Sequence, residues 1–143
     1  MIRSVPTGSI NAADAPQASG GYAQAVRLDG LAELLFVSGQ IPVDANGAVP
    51  QAFADQCRLV WRNVEAQLRA AGMGLADIVK VTTFLADRAH AAENGAIRQE
   101  VLAGLTPALT VIIAVIYDPA WLLEIEVIAA RRGRRGCGES ISR

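Results

Sequence analysis

The sequence predicts an α+β domain, a mixed β-sheet with two helices packed on one face, in the order β-β-α-β-α-β-β. Three observations carry this reading. Residues 51–71 repeat apolar side chains at spacings of three and four, the mark of an amphipathic helix. Short β-branched runs on either side of it are bounded by glycine, proline and asparagine. The chain has 143 residues, of which 52% are apolar, enough to fill the core of a single domain. Aromatic residues make up only 5%, so that core must be aliphatic and alanine-rich.

The elements follow in order. Residues 1–19 are rich in Ala, Pro, Ser and Asn and predict an irregular arm. GGYAQAVRLDG (20–30) alternates weakly and reads as a strand closed by the Asp29-Gly30 turn. LAELLFVSGQIP follows, with a strand core from Leu34 to Val37, and Asn46-Gly47 in DANG marks a reversal. In the helix at 51–71 the stripe is Phe53, Cys57, Val60, Trp61, Val64, Leu68 and Ala71, and Gly72 caps its end. Cys57 lies on this stripe and reads as a small core residue, not a nucleophile. IVKVTTFLA (78–86) is strand-like. A second helix runs from Asp87, its N-cap, to Leu102, and Gly104 and Pro107 stop it. Asp87 and His90 read as a solvated face. Strands at 109–116 and 122–130 close a domain spanning 1–132, and residues 133–143 form an Arg/Gly-rich tail expected to be flexible.

Composition narrows the function. A formal net charge of −1 does not indicate a globally basic nucleic-acid binder. No apolar run approaches the ~20 residues of a membrane-spanning helix. The N-terminus lacks the apolar segment of a signal peptide, so a cytoplasmic, reduced setting is expected. Cys57 and Cys137 are isolated and His90 is the single histidine, so no metal site is expected. Two helices cover one face of a sheet. The apolar surplus therefore points to subunit interfaces on the other.

Residues 106–132 hold the main chemical signal. On the last strand Leu123, Ile125, Val127 and Ala129 share one face, and Leu122, Glu124, Glu126 and Ile128 share the other. The first set suits a core. Two acids among aliphatics suit solvent, an interface or a cleft. A paired-carboxylate hydrolase is a further reading of the same spacing.

GGYAQAV, VSGQIPVDANGAVP, LRAAGMGLADIVKVTTFL and LEIEVIAARR, in this order, resemble the RidA/YjgF family, whose older label is L-PSP endoribonuclease. The likeness spans residues 9 to 132. It implies a chorismate mutase-like fold, a homotrimer with its sheets around a central barrel, and clefts between subunits that bind small molecules. Catalytic members hydrolyse reactive enamines and imines to 2-oxo acids and ammonia without a cofactor. Carried over by position, Tyr22, Ser38 and Asn94 line the cleft and Glu124 helps hold the attacking water. The arginine that grips the substrate carboxylate in the family falls on Leu109, and the small thiol two residues later falls on Val111.

Loss of that arginine matters. Removing the partner of a buried charge costs ~3–5 kcal/mol. At ~1.4 kcal/mol per decade this is on the order of a hundredfold to a few thousandfold. Three readings follow. The first is a trimeric protein whose cleft has turned toward apolar or uncharged ligands, as a divergent hydrolase or a binding protein. The second is an enamine/imine deaminase with a substitute cation, for which Arg27, Arg88 and Arg98 are the candidates. The third, an endoribonuclease, needs a basic track that only RRGRRG (131–136) offers.

Overall fold

The computed structural model describes residues 8–133. Most of the expected C-terminal tail, Cys137, and the first residues of the expected N-terminal arm lie outside the described residues.

The chain runs β1 (Gly8–Ile10), β2 (Ala25–Arg27), β3 (Leu31–Gln40), α1 (Phe53–Ala70), β4 (Ile78–Leu85), α2 (Ala91–Leu102), β5 (Ala108–Ile113) and β6 (Leu123–Arg132). The main sheet has the order β3-β6-β4-β5. β6 is antiparallel to both β3 and β4, and β5 joins β4 in parallel after the crossover through α2. This is the predicted mixed sheet with two helices.

The stripe of α1 builds the core. Phe53, Cys57, Val60, Trp61, Val64 and Leu68 are all buried. They pack with Ile125, Val127 and Ala129 of β6 and Val81 of β4, as alternation predicted. The helix ends in a Schellman motif. Gly72, at φ 72°, lets its N–H donate to the Arg69 carbonyl and the Met73 N–H donate to the Leu68 carbonyl. Ala71, the last member of the predicted stripe, falls in this cap and is exposed.

Polar ties hold α1 to the loops. Gln56 is 1% exposed. Its Nε2 donates to the carbonyls of Pro50 and Ala120 and its Oε1 accepts from the Leu122 N–H, fixing the entry to β6. Asn63 donates to the carbonyls of Ile41 and Val43 and fixes the exit from β3. The partners of both lie outside α1 in sequence, 64 and 66 positions away for Gln56 at Ala120 and Leu122 and 22 and 20 positions away for Asn63. Buried Asp77 accepts from Arg131 Nε and Nη2 and from the Gly74 N–H. Arg131 is thus a structural partner at the end of β6.

The structure departs from the sequence pattern in five places. The strand expected across 20–30 is only Ala25–Arg27, and it pairs antiparallel with β1 as a separate ribbon. β1 itself arises in the stretch read as irregular, where no apolar alternation announces it. β5 ends at Ile113, short of 116, where the Ala114 N–H donates to the Leu85 carbonyl. His90 is not merely solvated, since its ring stacks on Phe53 at 4.4 Å between centroids. Asp87 caps the 3-10 turn Arg88–His90, accepting from the Ala89 N–H, and not α2 itself, which starts at Ala91 with His90 in its N-cap position.

Burial pushes the Cys57 thiol up to about 12. A thiol reacts as its thiolate. Cys57 is therefore expected to resist iodoacetamide at pH 8 in the folded protein and to react once the chain is unfolded in guanidinium. Peptide mass mapping reads this out; alkylated Cys57 in the native protein contradicts it.

Candidate functional site

Three pieces of backbone meet beside β5. The first is α2, whose Ala91, Asn94, Gly95 and Arg98 share one helical face. Two of the four are small, so this face leaves a hollow between the polar side chains. The second is the arm before β2. The Ala23 N–H donates to the Pro107 carbonyl, and Ala23 bridges Ala108 in parallel. This seam lays Tyr22 and Gln24 alongside the start of β5. The third is β5 itself, which supplies Leu109 and Val111. Together they enclose an open cavity of about 420 Å³.

Four of the six residues picked from the sequence, Tyr22, Asn94, Leu109 and Val111, therefore line one pocket. Asn94 is 2% exposed, and its Oδ1 faces the Cys57 thiol across the α1–α2 contact at 3.9 Å. The strand wall is aliphatic, with Leu109 at the position from which the resemblance leads one to expect a cation.

A cation nevertheless stands in the pocket. Arg98 comes from α2 and is only 7% exposed. Its Nη2 donates to the Gly20 carbonyl at 3.2 Å, and its buried Nε has no hydrogen-bond partner. Burial pushes this guanidinium below the ordinary arginine value, opposed by Tyr22 and Cys57. Arginine remains charged at neutral pH all the same. The sequence named Arg98 as one of three candidates without a signal to choose among them. The signal was its spacing of four from Asn94.

Ser38 and Glu124 are not in this pocket within one chain. Glu124 opposes Phe84 on β4, which opposes Ile112 on β5. Leu109 and Val111 oppose Val81 and Thr83, which oppose Val127 and Ile125. Directly opposed residues project to the same side of a sheet. Glu124 therefore lies on the open face, and Leu109 on the helix-covered face. In a single chain the carboxylate is not the partner of side chain 109.

The open face has its own geometry. Glu124 and Glu126 share a hollow with Phe84 and Val115, and Ser38 lines another with Lys80, Thr82 and Glu126. The Glu124 carboxylate lies over Gly39, where the β3–β6 register slips between Val37 and Gln40. A Cβ at Gly39 would collide with that carboxylate. Around these groups the surface is apolar, with Phe36 70% and Val115 101% exposed. Lys80 Nζ donates to Thr110 Oγ1 on the same face. Among the described residues no group of His, Cys, Asp or Glu could hold a metal ion, and no helix is long and apolar enough to cross a membrane.

The family model described as Endoribonuclease L-PSP matches residues 12–131. RutC family protein PH0854 of Pyrococcus horikoshii is 35% identical over 118 residues, covering 81% of this chain and 91% of its own. TdcF of Escherichia coli, provisionally named a reactive intermediate deaminase, is 45% identical over 74 residues, 51% of this chain and 55% of its own. Among solved structures, the Rid-family protein YyfB of Yersinia pestis, of unknown function, superposes with a TM-score of 0.77 at 29% identity, covering 87% of this chain and 98% of its own.

The contact at Gly39 yields a test. Gly39→Ala is expected to destabilise the protein by about 1–3 kcal/mol through overpacking against the Glu124 carboxylate. Glu124→Ala placed on the same chain is expected to return most of that loss, as a double-mutant cycle measures. Additive effects in urea unfolding would show that the two positions do not meet.

Proposed function

The chain belongs to the endoribonuclease L-PSP family, also called RidA/YjgF, and on that premise we propose that it is a homotrimeric small-molecule hydrolase acting on reactive imines or enamines. One observation carries the proposal. The pocket of Tyr22, Asn94, Leu109 and Val111 and the carboxylate of Glu124 lie on opposite faces of one sheet, and the face bearing Glu124 is open and apolar. A site that uses both needs a second copy of the chain. In this trimer the open face of one copy packs on the β5 edge of the next, which buries Phe36 and its neighbours and sets the acid of one copy beside the pocket of the other.

In that cleft the chemistry is addition of water across a carbon–nitrogen double bond. Glu124 accepts a proton as the water oxygen bonds to carbon and passes a proton to nitrogen. The hydroxyl proton of the resulting carbinolamine then passes to nitrogen, through Glu124, as the carbon–nitrogen bond breaks, releasing ammonia and leaving a carbonyl. Ser38 and Tyr22 supply hydroxyls that hold the water and the ligand. The provisional name of TdcF as a reactive intermediate deaminase supports this class of reaction. An RNA-cleaving role draws no support from the pocket, which is walled on one side by Leu109 and Val111.

Two outcomes are expected. Light scattering at micromolar concentration gives three chain masses for the wild type, and Phe36→Asp, which puts a charge on the open apolar face, gives one. A wild type that runs as a monomer removes the basis of the shared cleft. With an imine generated in the assay by an amino-acid oxidase, the wild type releases ammonia faster than the buffer control. Glu124→Ala lowers that rate by about a hundredfold or more if Glu124 moves the protons. Unchanged release by a folded Glu124→Ala trimer excludes the role given to Glu124.

A further inference from the structure

We infer that Arg98 is the anion receptor of this pocket and that it selects ligands bearing a carboxylate, taking over from helix α2 the charge that the strand position Leu109 lacks. The inference rests on the reading of this pocket as the ligand site and adds to it the residue that decides ligand charge.

Arg98 carries an unpaired charge. Of the ion pairs among the described residues, those of Arg27, Arg58 and Arg69 are with Asp29, Glu100 and Glu65, and that of Arg131 is with Asp77. Arg98 has none. It is nevertheless a buried residue, 7% exposed, with its Nε shut off from water and no carboxylate beside it. A buried charge without a partner is costly, and proteins that keep one usually use it. The protein satisfies part of the fork through the Gly20 carbonyl, which accepts from Nη2 at 3.2 Å. Nε is left without a partner.

The setting favours a planar anion. A guanidinium presents donors in a fixed fork that matches a carboxylate in two parallel hydrogen bonds. The Gly20 carbonyl, accepting from Nη2, fixes this fork. Gly20 sits at φ 90°, and a Cβ there would come within 3.2 Å of Gln99 Nε2, so the chain approaches the helix this closely because the residue is glycine. Gly95 and Ala91 line the same pocket with little side-chain bulk, and Leu109 and Val111 give it an aliphatic wall. The pocket therefore offers one fixed positive charge beside an apolar surface. That combination fits a small acid with a short apolar body, and it disfavours the neutral analogue, which leaves the charge unpaired.

The test compares an acid with its isosteric amide. Calorimetry is run on the full chain with benzoate and benzamide for wild type, Arg98→Met, Arg98→Lys and Val111→Trp, which fills the pocket. Wild type is expected to bind benzoate at least roughly tenfold more tightly than benzamide. Arg98→Met erases that preference, and Arg98→Lys keeps part of it, since an ammonium carries the charge without the fork. Ligand-free Arg98→Met is expected to melt at or above the wild-type temperature, because an unpaired buried charge has gone. If Arg98→Met does not fold, Arg98→Lys decides: a reduced preference supports the inference and an undiminished one overturns it. Equal affinity of the wild type for acid and amide, both abolished by Val111→Trp, overturns the role of Arg98 and leaves the pocket as the ligand site. Binding that survives Val111→Trp places the probe elsewhere and overturns both readings. A preference that persists in Arg98→Met, or no benzoate binding by the folded wild type, also overturns the inference.

Discussion

A four-stranded sheet has two faces, and the helices among the described residues cover only one of them. The consequence runs through the whole molecule. On the covered side, Leu123, Ile125, Val127 and Ala129 of β6 lie under α1 with 0–1% exposure. On the open side, residues from the same strands alternate between acids and aliphatics, and large apolar side chains stand in water. Apolar surface left in water forgoes about 25 cal/mol for each Å² that a partner could cover. A chain that keeps Phe36, Leu34 and Ile112 outward along one sheet face retains a drive to associate there. The fold and the proposed assembly thus have one cause, the one-sided distribution of helices.

The same constraint explains where the chemical groups stand. A strand alternates faces, so β6 can present Glu124 only on the side away from α1 if Ile125 is to enter the core. β5 obeys the same parity, which sends Leu109 and Val111 toward the helix side. No change of rotamer brings these groups together in one chain. Close approach to each group has been arranged by removing side-chain bulk from the neighbouring backbone. Gly39 yields its Cβ volume to the Glu124 carboxylate, and Gly20 brings a carbonyl onto Arg98.

Much of this was legible in the sequence. The stripe of α1, the Gly72 cap and the two faces of β6 are periodic signals, and each held in the structure because local pattern and burial agree there. The short ribbon of β1 and β2 was not legible, since its residues are mostly exposed and carry no alternation. The stacking of His90 on Phe53 depends on how the 3-10 turn delivers a ring to the start of α1, which spacing alone does not encode. Of the site, the resemblance led to Tyr22, Asn94, Leu109 and Val111, and these share a pocket. It gave Glu124 and Ser38 as well, and alternation set Glu124 off the core face of β6, but no linear pattern says that Leu109 and Glu124 fall on opposite faces of the assembled sheet.

Arg98 shows why a position-by-position reading stops short. Leu109 looks like the deletion of a charge when position 109 is considered by itself. The pocket, however, is a volume bounded by a strand, a helix and an arm, and a guanidinium can enter it from any of them. α2 has one face of alternating small and polar residues, Ala91, Asn94, Gly95 and Arg98, and a helix so patterned has little apolar surface to bury. That pattern looks weak as a core signal and is strong as a lining. The arm completes the argument, since Arg98 is held by a carbonyl from Gly20, 78 positions away. Aliphatic Leu109 then has a physical consequence of its own. A second arginine at 109 would enter the pocket as a like charge near Arg98, and two desolvated cations repel unless an anion lies between them. The aliphatic strand wall and the helix-borne charge are therefore compatible as a pair, and neither residue accounts for the character of the pocket without the other.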